Sequence, residues 1–412
     1  MTTHNYFRDS KLLDRLHEGP LGAFVDLYAK RLTTEGHCYQ SGARCIRVVG
    51  DFSLWLRRRH LGVGDINEQR VEQYQRFRTR HRHPFLSDRP ALKRLLTVLR
   101  EMDAITQRAP VTLSPQEQIE QDFAHYLLQE RGLSQATVVR HRIPLRKFLR
   151  EHCAQGTESF PRLTAADITQ FVVRHAHDQS PRSAHSLCWT LRAFSRYLLY
   201  RGHTNIDLAA AVPSVRTWRF SVLPEHLSGE EVQQVLDSCD KCSAMGRRDY
   251  AVLMLLARLG LRANEIAMLK LNDINWYSGT VMVRGKGRRR ASMPLLADVG
   301  AALVDYLEHG RPQTDSRQVF VRLLAPHSGF ASSAGISMIA RSAMVRSGLD
   351  IHRKGTHIFR HSLASELLRA GASLAEIGEV LRHQDHDTTR IYAKVDVDAL
   401  RKLGLAWPGG AQ

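Results

Sequence analysis

The chain has 412 residues, and its 59 Lys or Arg outnumber its 41 Asp or Glu to give a formal net charge of +18. At roughly 100–200 residues per domain this length suggests two to four domains, and a hydrophobic fraction of 43% excludes wholesale disorder. The longest apolar run, Ala251–Ala257, falls far short of the ~20 residues that span a bilayer, and the opening MTTHNYFRDSKLLDRL lacks the apolar core of a signal peptide. A soluble, cytoplasmic protein with no membrane partner is the expectation. A positive surplus this large repels itself in a compact chain, and binding to nucleic acid is the commonest reason to carry one. A solvated basic surface without a partner is the alternative.

The first two segments read as small helical bundles, with a break at Arg108–Ser114. Ser114-Pro115-Gln116-Glu117 is a capping box with Pro at the first helical position. Thr164-Ala165-Ala166-Asp167 is a weaker one. Ile119, Phe123, Tyr126 and Leu127 recur at helical spacing, as do Leu191, Phe194, Tyr197 and Leu198. The two segments can be aligned as a diverged repeat. Phe24 and Phe123 then open one helix, and Phe52 and Phe148 lie on the next. Asp65-Ile66 and Asp167-Ile168 start a third, while Leu95, Val98 and Met102 parallel Leu191, Phe194 and Leu198 on a fourth. Two unrelated amphipathic bundles are the competing explanation.

Ala211–Glu225 has no helical period and reads as a linker. Beyond it, Ser228 and Glu231 form another capping box, and a helix from about Asp249 ends at Gly260. No alternating strand is expected before residue 278. Gly279–Arg284 and Arg290–Pro294 then flank Gly285-Lys286-Gly287, the pattern of a β-hairpin with a basic tip. Helices follow at Val299–Glu308, Ile336–Ser347, His357–Arg369 and Leu374–Leu381. The whole is mainly α, ending in an α+β domain with one small antiparallel sheet. Cys239 and Cys242 have zinc-like spacing, but no second pair lies at finger spacing, so two plain thiols on a helix are expected. The other cysteines are scattered and form no disulfide framework. His357, His361, His383 and His386 complete no recognisable metal motif.

Polar groups recur in the C-terminal segment where packing does not demand them. Arg262 sits near a helix start and Lys286 at the hairpin tip. His357 and Arg360 share a helix face at the N-terminus that follows Gly355-Thr356, where free backbone N–H groups point outward. His383 closes a helix, and Tyr392 lies nine residues on. Singly each is ordinary surface or core chemistry.

The ordered set, carried by ARLGLRANEIAMLKLNDINW (257–276), VRGKGRRRASMPL (283–295) and GTHIFRHSLASELLRAGASLAEIGEVLRHQDHDTTRIYAKV (355–395), resembles the tyrosine recombinases of the phage integrase family. The resemblance implies helical DNA-binding domains and a C-terminal catalytic domain. It places a core-binding domain at 113–212, a linker at 213–224, a catalytic domain at 225–405 and a tail at 406–412, and leaves residues 1–110 outside the family pattern as an N-terminal helical domain that could be the diverged core-binding repeat. It also implies a set of catalytic residues: Arg262 and Arg360 as the arginines that hold the phosphate, Lys286 as the hairpin lysine, His357 and His383 as the histidines, and Tyr392 as the nucleophile. Two guanidiniums offer permanently charged planar forks to phosphate. A phenol of reference pKa near 10 gains from a base such as His357, and Lys286 is the candidate donor to the leaving 5′-oxygen.

The resemblance calls for no cofactor, metal or ATP. It implies a site-specific recombinase or integrase acting through a 3′-phosphotyrosyl intermediate and belonging to a mobile element. Its partner would be duplex DNA, and it would assemble on that DNA as a homo- or hetero-tetramer, with partner recombinases an open possibility. A bacterial cytoplasm, with nucleoid association when DNA is bound, is the matching location. The segment after Tyr392, Val395–Leu405, is a short apolar helix candidate that would dock on a neighbouring protomer or on its own domain. The family usually has Gly where this chain has Arg382, which leaves the helix end before His383 open. A non-catalytic DNA-binding regulator and a type IB-like topoisomerase are the rival readings.

Overall fold

The computed structural model describes residues 2–81, 85, 87–107, 113–152, 156–215, 225–285, 289–352, 354–383 and 389–392, with side chains omitted at 2 and 156–158. Two compact units result: Met1–Gln107 groups with Val222–Gln412, and Arg108–Ser221 forms the other. The hairpin tip around Lys286 and the segment after Tyr392, including Val395–Leu405, lie outside the described residues. Among the described residues no helix is long and apolar enough to cross a membrane.

The N-terminal helices are α1 (Ser10–His17), α2 (Gly22–Thr34), α3 (Tyr39–Arg57), α4 (Glu68–His81) and α5 (Asp88–Glu101). Their apolar stripes close around Val25, Tyr28, Ile46, Phe52, Leu92 and Leu95. The second unit holds α6 (Pro115–His125), α7 (Gln135–His152), α8 (Ala165–Ala176) and α9 (Pro181–Tyr200) around Phe123, Phe148, Phe171, Leu191 and Phe194. Ser114 and Thr164 both form full capping boxes, the second stronger than its sequence suggests.

The two bundles pair their helices in the same order: α2 with α3, α3 with α5 and α4 with α5, against α6 with α7, α7 with α9 and α8 with α9. Phe52 and Phe148, Ile66 and Ile168, Leu95 and Leu191, and Val98 and Phe194 are all buried. The other aligned positions part company. Phe24 is only partly buried near the start of α2, whereas Phe123 is fully buried near the end of α6. Met102 is exposed just past α5, while Leu198 is buried inside α9.

The C-terminal residues form α10 (Gly229–Asp237), α11 (Ala244–Arg258), α12 (Ala263–Ala267), β1 (Ile274–Asn275), β2 (Thr280–Arg284), β3 (Arg290–Pro294), α13 (Ala297–His309), α14 (Ala334–Arg346), α15 (His357–Arg369) and α16 (Leu374–Val380). The sheet is antiparallel in the order β1-β2-β3, with Arg284 opposite Arg290 next to the hairpin tip. β1 is a third strand that the sequence pattern did not predict, because two residues carry no alternation. α11 begins five residues before Asp249, since Ser243 caps it by accepting from the Gly246 N–H. Cys239 and Cys242 are not on a helix. α10 stops at Asp237, and Asp240 accepts from the Cys242 N–H in a turn that leads to α11.

Between the N-terminal helices and this C-terminal body, the His327 N–H donates to the Glu35 carbonyl at 3.1 Å. Gly36 lies against the His327 ring, with φ +82 and room for no Cβ.

Candidate functional site

α11 ends at Arg258, and two residues on Gly260, with φ of +56, turns the chain so that Leu261 is buried and Arg262 caps α12. A Cβ at Gly260 would come within 2.8 Å of Leu381, so the glycine also lets this turn meet the end of α16. Glu265, three residues into the turn, is 3% exposed. Its carboxylate accepts from the Arg262 backbone N–H at 2.8 Å and from Arg262 Nη1 at 3.0 Å. The guanidinium of Arg262 is thereby anchored while more than a third of the side chain stays accessible.

Arg360 comes from the first turn of α15 and is buried. Its Nη1 donates to the Gly260 carbonyl at 2.6 Å and its Nη2 to the Leu381 carbonyl. One side chain therefore ties together the α11–α12 turn, α15 and the end of α16. Burial, then the neighbouring charges of Arg262 and Arg382, lower its pKa to about 10, which still leaves it charged at neutral pH. His357, at the start of the same helix, is exposed.

Tyr392 is 1% exposed and packs against Ala364, Ile377 and Leu381. Its hydroxyl shares a 2.9 Å hydrogen bond with His361 Nδ1. The His383 ring lies parallel to the Tyr392 ring at 6.3 Å, and its Nδ1 bonds Thr389 Oγ1 at 2.7 Å. Burial pushes the phenol up to about 12, opposed by the positive charges of Arg360 and Arg262. Burial also holds both imidazoles near 4. His357 and Arg360 add to this at His361, and Arg360 and Arg262 add to it at His383.

Arg262, Arg360, His383 and Tyr392 are thus within one electrostatic neighbourhood, and His357 reaches it through His361. Lys286 lies outside the described residues. The residue before it is close by, because a Cβ built on Gly285 would stand 4.0 Å from Glu265 Oε1. Sequence reasoning assigned no role to Glu265 or Arg382, and weighed His361 only as a metal ligand. Among the described residues no cluster suited to a metal ion occurs. The Arg-x-x-Glu spacing of Arg262 and Glu265 was the available signal for the carboxylate. No comparable pattern marks His361, whose partner is 31 residues away.

The neutral histidines give a pH prediction. The folded pKa near 4 of His361 and His383 lies below the ordinary 6.5, so the unfolded chain binds more protons between those values. Their stabilisation is complete above about pH 6.5, falls as the pH drops toward 4, and changes no further below that. Urea melts should show a lower midpoint at pH 5 than at pH 7.5. Replacing both histidines with Gln should flatten that difference.

Residues 225–398 match the phage integrase family, and residues 121–202 match the phage integrase N-terminal SAM-like domain. The chain is 43% identical over 402 residues to "Putative integrase/recombinase y4rA" of Sinorhizobium fredii, covering 97% of this chain and 98% of the relative. It is 31% identical over 280 residues to the tyrosine recombinase XerD of Listeria monocytogenes, covering 67% of this chain and 93% of XerD. A crystal structure of the XerH site-specific recombinase, bound to palindromic difH substrate after cleavage, shares the fold at 21% identity and a TM-score of 0.55, covering 69% of this chain and 83% of that one. With near full-length similarity to a recombinase relative and the family pattern spanning the site just described, the chain belongs to the phage integrase family of tyrosine recombinases.

Proposed function

We propose that this recombinase cuts and rejoins duplex DNA at a specific site through a 3′-phosphotyrosyl bond to Tyr392. The observation that carries the reading is a buried tyrosine, hydrogen-bonded to His361, that lies in the field of the positive charges of Arg262 and Arg360. In this reading the two guanidiniums hold the non-bridging oxygens of the scissile phosphate, where negative charge grows in the transition state. The N–H groups at the start of α15, beside His357, add to that field. His383 sits beside Tyr392 to orient it, and Lys286 protonates the leaving 5′-oxygen. The covalent bond conserves the energy of the broken one, so religation needs no nucleotide.

His361 holds the phenol rather than deprotonating it. Burial raises the phenol and lowers the imidazole, which opposes proton transfer between them. The exposed His357 remains the proposed proton acceptor. The proposed domains are 113–212 for core binding and 225–405 for catalysis, joined by 213–224, with 1–110 as an added N-terminal domain. Strand exchange between two duplexes breaks four strands, which supports a tetramer on DNA, within a mobile element and with or without a partner recombinase.

The test is a nicked duplex from the flanks of the gene, run on a denaturing gel, with the attached peptide mapped by mass spectrometry. Attachment at Tyr392 is expected, and a different residue would displace the assignment. Lys286→Ala should cleave ordinary DNA slowly and recover when the bridging 5′-oxygen is sulfur, because a thiolate leaves without a proton. Equal defects on both substrates would remove Lys286 from the general-acid role.

A further inference from the structure

Resting on that reading, Arg382 is the feature that departs from the family pattern. It follows the C-cap of α16 with φ +54, a left-handed conformation that costs a non-glycine residue of order 1 kcal/mol. The Arg382 N–H donates to Glu379 at 2.9 Å and the His383 N–H to Gly378 at 2.8 Å, so the helix end keeps the tight turn that glycine makes without strain. The arginine side chain uses that turn to go inward. It is 15% exposed, lies against the sulfur of Met293 on β3, and places Nη2 2.9 Å from Glu265 Oε2.

Glu265 is the same carboxylate that anchors Arg262. Arg262 and Glu265 alone sum to zero charge (+1 − 1), which would mute the arginine toward a phosphate. Adding Arg382 brings the trio to +1. Its cation also contributes to the fields felt by Arg360 and His383.

We propose that Arg382 is a positioning residue for cleavage: by taking one oxygen of Glu265 it leaves Arg262 oriented and electrostatically available to the scissile phosphodiester. The residue acts through Glu265 and touches no substrate. Its loss should therefore slow covalent attachment without weakening DNA binding, and the loss should depend on the carboxylate.

The experiment compares full-length wild type, Arg382→Gly, Arg382→Lys, Glu265→Gln and the Arg382→Gly/Glu265→Gln double variant. Single-turnover adduct formation is measured on a nicked duplex at saturating protein, and DNA affinity is measured separately. Arg382→Gly is expected to react about tenfold or more slowly with unchanged affinity. Arg382→Lys should recover much of the rate. In the Glu265→Gln background the Gly substitution should change the rate by less than about threefold. A wild-type rate in Arg382→Gly, or the same loss in both backgrounds, would overturn the proposal. Thermal melts of the same proteins read the contact without any activity. Non-additive shifts are expected for the pair, and additive shifts would overturn it. If wild type forms no adduct, the recombinase reading fails, and the melts still decide whether Arg382 and Glu265 are coupled.

Discussion

Tyr392→Phe should abolish the covalent protein–DNA complex, a loss of at least about 10⁴-fold, because no other oxygen replaces a missing nucleophile. Duplex affinity should stay within a few-fold of wild type, since the hydroxyl is buried against His361 and contributes no surface charge. The fold should lose only about 1 kcal/mol, the worth of that hydrogen bond. A nicked substrate on a denaturing gel, together with a binding titration, measures both quantities. A surviving adduct would mean that another residue attacks.

The second large effect is expected at Arg360, and it has two components. Arg360→Ala removes one of the two cations proposed to face the phosphate, which should slow cleavage about 10²- to 10³-fold. It also strips the Gly260 and Leu381 carbonyls of their donor. Each buried acceptor left unpaired costs about 1–3 kcal/mol, so the melting temperature should fall with the rate. Arg360→Lys keeps a charge but lacks the planar fork that reaches two carbonyls at once. It should recover part of the stability and less of the activity. A stable but inactive Arg360→Ala protein would show that the two carbonyls find other partners.

Most of the frame around these residues was legible in the chain itself. The capping serines at 114 and 228, the glycine-flanked hairpin and the His357–Arg369 helix all follow local rules whose partners lie near in sequence, the farthest being the hairpin pair Thr280 and Pro294. The contacts that were not legible are long-range. His361 is one residue past Arg360, about 100° around the helix, so its role depends on where a distant tyrosine lands. Arg382 looked like a departure at a helix end. Its meaning needed Glu265, 117 positions earlier, to come within reach. β1 was missed because two residues show no period, and the placing of Phe123 at the opening of its helix failed because capping at Ser114 starts α6 earlier.

The double duty proposed for Arg360 bears on how such a gene drifts once selection for recombination lapses. Substitutions at Tyr392, the proposed nucleophile, are expected to silence the chemistry while nearly sparing the fold, so they should persist in a lineage that still uses the protein to bind DNA. Substitutions at Arg360 unpair two buried carbonyls and expose the product to proteolysis, so they are purged along with the protein. Silent descendants of this chain should therefore keep Arg360 long after Tyr392 has gone.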